Sequence, residues 1–243
     1  MTKDEYYICG FHGLEKALTD NRVSEIFVSR NRQDERVATL IKLANKHKVT
    51  ITVTNKNDLD SRVDGVRHQG IIGKGSGAIV RKGVVSFIKT KRLPFILILD
   101  NLNDPANMGS CLRTAAAVGV DCVVIPKSKG CGLNSTAIRV SAGGAMITPI
   151  FEESNWAPML DAIKQEGIWL IGLDENSPSS LYNTNLTSPI AIAIGSEEKG
   201  LRKLTRKKCD QVVSIPTSGL FKSLNAGVAS GVALFEVSRQ RTI

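Results

Sequence analysis

From Pro94 onward, short apolar runs recur with helical stretches between them: "FILILD", "CVVIP", "IWLIGLD", "IAIAIGS" and "VVSIP". This pattern restricts the fold more than any other feature of the chain. A strand with one wet face alternates apolar and polar residues, whereas these runs are apolar nearly throughout. They therefore belong in a parallel sheet with helices on both faces. The helices fall after "DPANMGS", near "NSTAIRVSAGGA", in "WAPMLDAIKQEG" and in the closing segment "SLNAGVASGVALFE". The predicted fold class is α/β. In open sheets of this kind ligands bind beyond the carboxyl ends of the strands, and the unusual residues of this chain cluster there.

The first 75 residues have a different rhythm. "EIFVS" and the β-branched "VTITVT" read as strands, with "HQGIIGKG" as another. In "QDERVATLIKLANKHK", Val37, Leu40, Ile41 and Ala44 fall at helical spacing. Between Ser76 and Leu93, glycines and five basic residues interrupt the periodicity, as in a linker. The expected organisation is an N-terminal α/β unit at 1–75, a linker at 76–93 and a second domain at 94–243.

Bulk properties narrow the class. A 42% hydrophobic, 23% charged chain has globular rather than disordered composition. No apolar run approaches the ~20 residues that cross a bilayer, and "MTKDEYYICG" lacks a signal pattern. The expectation is a soluble, cytoplasmic protein without a membrane partner. Five scattered cysteines with no CxxC pair predict neither a disulfide framework nor a metal site. The formal charge of +9 suits a partner that carries phosphates. GxGxxG after the first strand, GxxxxGK[ST], HExxH and GxSxG are all missing, which removes the usual support for dinucleotide, P-loop, zinc-protease and hydrolase chemistry.

Three clusters fall at predicted strand ends. In "DNLNDPANMGSCLRTAAAVGV", Asp104 and Pro105 end a strand, Asn107 can cap the next helix and Arg113 lies inside it. In "IAIGSEEKGL", Gly195, Glu197 and Gly200 form a tight turn whose backbone can approach another molecule. In "SIPTSGLFKSLNAGVASGVALFE", Leu224, Val228, Val232 and Phe235 fall at helical spacing and the remaining positions are small. Such a helix is expected to pack tightly on more than one side, with Ser223 or Asn225 as its cap. Taken singly, each cluster also reads as ordinary caps and turns. Trp156 and Trp169 are expected in the core, His12 and His68 in structural positions or against the phosphate-bearing partner, and the run Arg202, Lys203, Arg206, Lys207 and Lys208 either on that partner's phosphates or in solvent.

In this order and spacing the clusters resemble the three motifs of the SpoU (TrmH) family of RNA ribose 2'-O-methyltransferases, in the SPOUT superfamily. Asn107 and Arg113 match the first, Gly195, Glu197 and Gly200 the second, and Ile215, Pro216, Gly219, Ser223, Leu224 and Asn225 the third. "ICGFHGLEKAL", "HQGII", "GLRKLTRKKCD" and "FEVSRQR" extend the likeness to members that methylate a guanosine ribose in 23S ribosomal RNA. One departure is "SLNAGVA", where the family commonly has "SLNVSVA".

The resemblance implies a SPOUT-type sheet with a C-terminal trefoil knot, preceded by a small ribosomal-protein-like RNA-binding domain. It implies S-adenosylmethionine as methyl donor, held around Gly195, Ile215, Pro216 and Leu224, and a homodimer acting on 23S ribosomal RNA or a ribosome precursor. Asn107, Arg113, Glu197, Ser223 and Asn225 are the implied catalytic residues. A guanidinium stays protonated at working pH, so Arg113 is expected to hold a phosphate and developing oxyanion charge rather than act as base. A tRNA ribose methyltransferase and a non-catalytic RNA-binding relative are the alternatives.

Overall fold

The computed structural model describes residues 5–32, 34–63, 68–76, 79–80, 83–219 and 223–242. Its first elements are β1 (Glu5–Cys9), α1 (Phe11–Thr19), β2 (Val23–Ser29), α2 (Glu35–Lys46), β3 (Thr50–Thr54), α3 (Lys56–Val63) and β4 (Ile71–Ser76). Four strands make one mixed sheet in the order β1-β4-β2-β3. The pairings of β1 and β2 with β4 are antiparallel, and β2 with β3 is parallel. Helix α2 starts where the Asp34 carboxylate accepts from the backbone N–H of Val37, satisfying one of the donors a helix leaves open.

The chain continues through β5 (Ile79–Val80), α4 (Val84–Ile88), β6 (Phe95–Asp100), α5 (Pro105–Val118), β7 (Cys122–Pro126), α6 (Ser135–Val140), α7 (Gly144–Ile147) and β8 (Ile150–Glu153). It ends with α8 (Trp156–Gln165), β9 (Trp169–Leu173), a 3-10 turn at Leu181–Asn183, β10 (Ile190–Gly195), α9 (Lys203–Lys208), β11 (Gln211–Val213) and α10 (Ala226–Thr242). Seven strands pair in parallel in the order β11-β9-β10-β6-β7-β8-β5. Every residue of β6 and β10 is buried, the property that made those runs legible. Their side chains alternate between two cores. Leu97, Leu99, Ile192 and Ile194 join the core beneath α5 and α10, whereas Ile96, Ile98, Ala191 and Ala193 join the one beneath α4 and α8.

The structure differs from the sequence reading in several places. Segment 76–93, expected as a linker, carries β5 and α4, and Val84 and Ile88 are buried; residues 77–78 and 81–82 lie outside the described residues. The helix near "NSTAIRVSAGGA" is two short helices, broken where Ala142 and Gly143 take positive φ of 49° and 96°. Trp156 is buried and donates to Thr205 Oγ1 at 2.9 Å, as a core tryptophan does, but Trp169, at the start of β9, is 53% exposed. His68 is buried between the Asp60 carboxylate, 2.9 Å away, and the backbone N–H of Gly70, 3.0 Å away, a structural position.

The bulky stripe of α10 is the larger correction. Val228 and Phe235 are 53% and 58% exposed, and Leu224, just before the helix, is exposed as well. The buried side consists of Ala226, Gly227, Ser230, Ala233, Leu234, Glu236 and Val237. Close approach to α5 requires small side chains: a Cβ on Gly227 would lie 2.8 Å from Ser110 Cβ. Val228 and Phe235 point the other way, and Leu234 and Val237 supply the bulk on the buried side.

The five cysteines are free, and burial pushes the thiols up, to about 12 for Cys111, Cys122 and Cys209. Among the described residues no helix is long and apolar enough to cross a membrane.

Candidate functional site

Strand β10 ends in Gly195, which opens a turn that folds back at once. Ser196 and Gly200 exchange backbone hydrogen bonds of 3.2 and 2.8 Å. A Cβ on Gly195 would lie 2.0 Å from the carbonyl carbon of Gly200, so no larger residue fits. Gly200 takes φ +61°, the left-handed region that favours glycine.

Asp100, the last residue of β6, anchors the far side of this turn. It is fully buried and accepts from the backbone N–H of Arg202 at 2.9 Å and from the Arg202 guanidinium. The guanidinium also lies 4.8 Å above the Trp156 ring. A buried carboxylate needs a charged, hydrogen-bonded partner, and here the pair clamps the turn to the central strand. Sequence reading missed Asp100; its signal was an acid terminating a wholly apolar run.

Helix α5 is capped by Asp104, whose carboxylate accepts from Ala106 N–H at 2.9 Å, with Pro105 as first residue. Asn107 is thus released from capping, contrary to one sequence expectation. Its Nδ2 donates to Glu197 Oε1, and its Oδ1 accepts from Asn225 Nδ2 at 2.7 Å. Asn225 caps α10, its Oδ1 accepting from the backbone N–H groups of Gly227 and Val228 at 2.9 and 3.3 Å. Three side chains 28 to 118 residues apart in sequence form one chain of hydrogen bonds that fixes which way each amide faces.

Beside this chain, at the carboxyl ends of β9, β10 and β11, lies a cavity of about 230 Å³. Gly195, Glu197, Gly200, Ile215, Ser223 and Leu224 line it. Sequence reading also missed part of its wall: Leu173 to Asn176 at the end of β9 and just beyond it, and Ala226 and Ala229 on α10. The quoted run "IWLIGLD" ended at the right place, but polar residues after a strand carry no signal of their own. Pro216 is exposed in the loop beyond Ile215 and does not line the cavity, and residues 220–222 of the third cluster lie outside the described residues.

Arg113 is not part of the hydrogen-bonded chain. It is exposed on α5 and has no hydrogen-bond or ion-pair partner among the described residues. Six residues beyond Asn107, it lies about 9 Å further along the helix and roughly 120° around it. The basic run is divided in its employment. Arg202 pairs with Asp100, Arg206 with Asp174 at the cavity wall, and Lys208 with Asp161 at 2.6 Å.

The SpoU rRNA Methylase family matches residues 94–235, and a second family, RNA 2'-O ribose methyltransferase substrate binding, matches residues 7–77. The chain is 38% identical over 243 residues to the 23S rRNA (guanosine-2'-O-)-methyltransferase RlmB of Shewanella oneidensis, covering 98% of this chain and 99% of that protein. It is 37% identical over 239 residues to RlmB of Escherichia coli, covering 97% and 98%. The SpoU methyltransferase AviRb of Streptomyces viridochromogenes, solved with AdoMet, superposes with a TM-score of 0.80 at 22% identity, over 98% of this chain and 91% of that one. On these matches the chain belongs to the SpoU rRNA methylase family.

Proposed function

We propose that this protein transfers a methyl group from S-adenosylmethionine to the 2'-hydroxyl of a guanosine ribose in 23S ribosomal RNA, in the cytoplasm. The observation that carries the reading is the Asn225–Asn107–Glu197 chain at the edge of the cavity, in a protein 37–38% identical to curated 23S rRNA guanosine methyltransferases over nearly all its length. The cavity suits the donor. Ile194, Ile215, Leu224 and Ala229 offer an apolar wall for a purine, and Glu175 and Glu198 offer carboxylates to a cationic ligand. When bound, the donor supplies a methyl group activated by a positively charged sulfur.

The residues of this chain would then position the acceptor. Glu197 gives one oxygen to Asn107 and keeps the other for the ribose hydroxyl, where it assists removal of the proton. Asn107, held from both sides, keeps Glu197 aimed. Arg113, whose guanidinium has no partner among the described residues, takes the adjacent phosphate and developing oxyanion charge. Ser223 at the cavity wall orients the RNA or the donor, and Pro216 shapes the loop behind Ile215.

Two further features belong to the proposal. β11 lies at the sheet edge, whereas α10, which follows it in the chain, packs on α5 and against β10 nearer the sheet centre, an arrangement that fits a trefoil knot around the donor. The exposed Leu224, Val228 and Phe235 stripe supports a homodimer, because exposed apolar surface of this kind marks association. A partner on that stripe would cover the helix that lines the cavity and so place the site near the subunit interface. Residues 1–75 would bind the RNA, joined through 76–93 to the catalytic part at 94–243.

Transfer of labelled methyl from S-adenosylmethionine to unmodified 23S ribosomal RNA, with transfer RNA alongside, tests this directly. Label on one guanosine ribose of 23S RNA is expected. Label confined to transfer RNA, or to neither, would overturn it.

A further inference from the structure

A second cavity, of about 220 Å³, lies between α1 and α2 of the N-terminal unit, lined by Phe11, His12, Glu15, Arg36, Thr39 and Leu40. Its chemistry is uneven in an informative way. Phe11 is partly buried against the core and so presents a fixed ring, while His12, Glu15 and Arg36 are exposed. Neither the Glu15 carboxylate nor the Arg36 guanidinium has a hydrogen-bond or ion-pair partner among the described residues, although both line this one cavity. Surface charges elsewhere in the unit pair readily, as Lys16 does with Asp20 and Arg62 with Asp58. Here an acceptor-only group and a donor-only fork stand open beside an aromatic ring.

From this we infer that the α1/α2 cavity is a guanine-reading pocket for the RNA. Unpaired guanine presents two donors, N1–H and the N2 amino group, on one edge and two acceptors, O6 and N7, on the adjoining one. A carboxylate accepts both donors and a guanidinium donates to both acceptors. Adenine and the pyrimidines lack that paired arrangement. The ring of Phe11 supplies the stacking surface on which a splayed base rests.

The helix that carries the pocket also lies close to Arg113. Gly13, in the first turn of α1, packs backbone to backbone on Gly143: a Cβ there would lie 2.7 Å from Gly143 Cα. Gly144, the next residue, packs on α5, where a Cβ would lie 2.8 Å from Arg113 Cα. With consecutive Cα atoms 3.8 Å apart, Gly13 and Arg113 are separated by at most about 12 Å. A base held by α1 and a phosphate held by Arg113 can therefore come from one short stretch of RNA.

This inference rests on the RNA-methyltransferase reading, so its test separates the two. Binding of overlapping fragments of unmodified 23S ribosomal RNA is measured with the full-length protein, together with methyl transfer and donor affinity. Glu15→Gln and Arg36→Ala should each weaken RNA binding about tenfold and leave donor affinity unchanged. Inosine, which lacks the N2 amino group, should weaken wild-type binding when placed at one guanosine, and Glu15→Gln should erase that penalty. RNA affinity unchanged from the parent in both variants, or an inosine penalty undiminished in Glu15→Gln, would overturn the pocket. Selective RNA binding without methyl transfer would instead leave the pocket standing and remove the activity reading.

Discussion

At the scale of single residues, the site depends on side chains whose neighbours leave them one orientation. Asn107 is buried, gives its amide N–H to Glu197 and takes one from Asn225. Asn107→Ala would leave a carboxylate and an amide without their partners and free Glu197 to rotate. Steady-state kinetics should show kcat for RNA methylation down by about 100-fold, the cost typical of losing one positioned polar group at a reaction centre. Calorimetry should show donor affinity within about threefold of the parent, since Asn107 does not line the cavity. The sequence marked Asn107 as a cap or a functional group and left the choice open. The structure decided it, because Asp104 already occupies the capping role.

At the scale of elements, α10 shows why a helix of small residues follows the third cluster. Gly227 sits against Ser110 on α5, so restoring the common family serine by Gly227→Ser should crowd that crossing. The expected loss is about 1 kcal/mol in denaturant-induced unfolding. Ser110→Gly in the same chain should recover most of it, a coupling that residues in contact show and distant ones do not. The other end of α10 carries a pH dependence. Hydrogen bonds from Arg239, with help from Gln240, hold the Glu236 carboxyl at about 2, well below its ordinary 4.5. A folded-state value below the unfolded one stabilises fully above pH 4.5, and the contribution disappears as pH falls from there toward 2. Unfolding midpoints followed between pH 5 and pH 2 should fall less steeply in Glu236→Gln than in the parent.

At the scale of the whole molecule, the two sheets are joined by a continuous buried cluster rather than by a tether alone. Ile8, Leu14 and Leu18 of the N-terminal unit share it with Cys111, Leu112, Ala145 and Met146. Arg22 reinforces the contact by donating to the carbonyl of Met146. Cooperative unfolding of both parts in one calorimetric transition is expected. Gly13→Val would drive a branched side chain into the backbone at Gly143 and should split that transition into two. It should also lower methylation of RNA more than donor binding, because the donor cavity draws no residue from α1.

The apolar runs of "FILILD" and "IAIAIGS" determined a two-sided parallel sheet, because a strand without a polar face has no other stable setting. Motif spacing, together with the resemblance it carried, determined which strand ends to watch and which residues to name. The tertiary structure alone decided how those residues divide: Asn107, Glu197 and Asn225 meet, Ser223 and Leu224 face the cavity, and Arg113 stands apart on the open side of α5. It alone decided that Val228 and Phe235 face outward and that Trp169 does too. It alone brought Gly13 onto Gly143 and the adjoining Gly144 onto Arg113. Periodicity reports that a helix has an apolar stripe, but which side is buried depends on how closely the neighbouring backbone approaches. That approach is set by pairs of small residues far apart in the chain, and a single sequence does not record which of them meet.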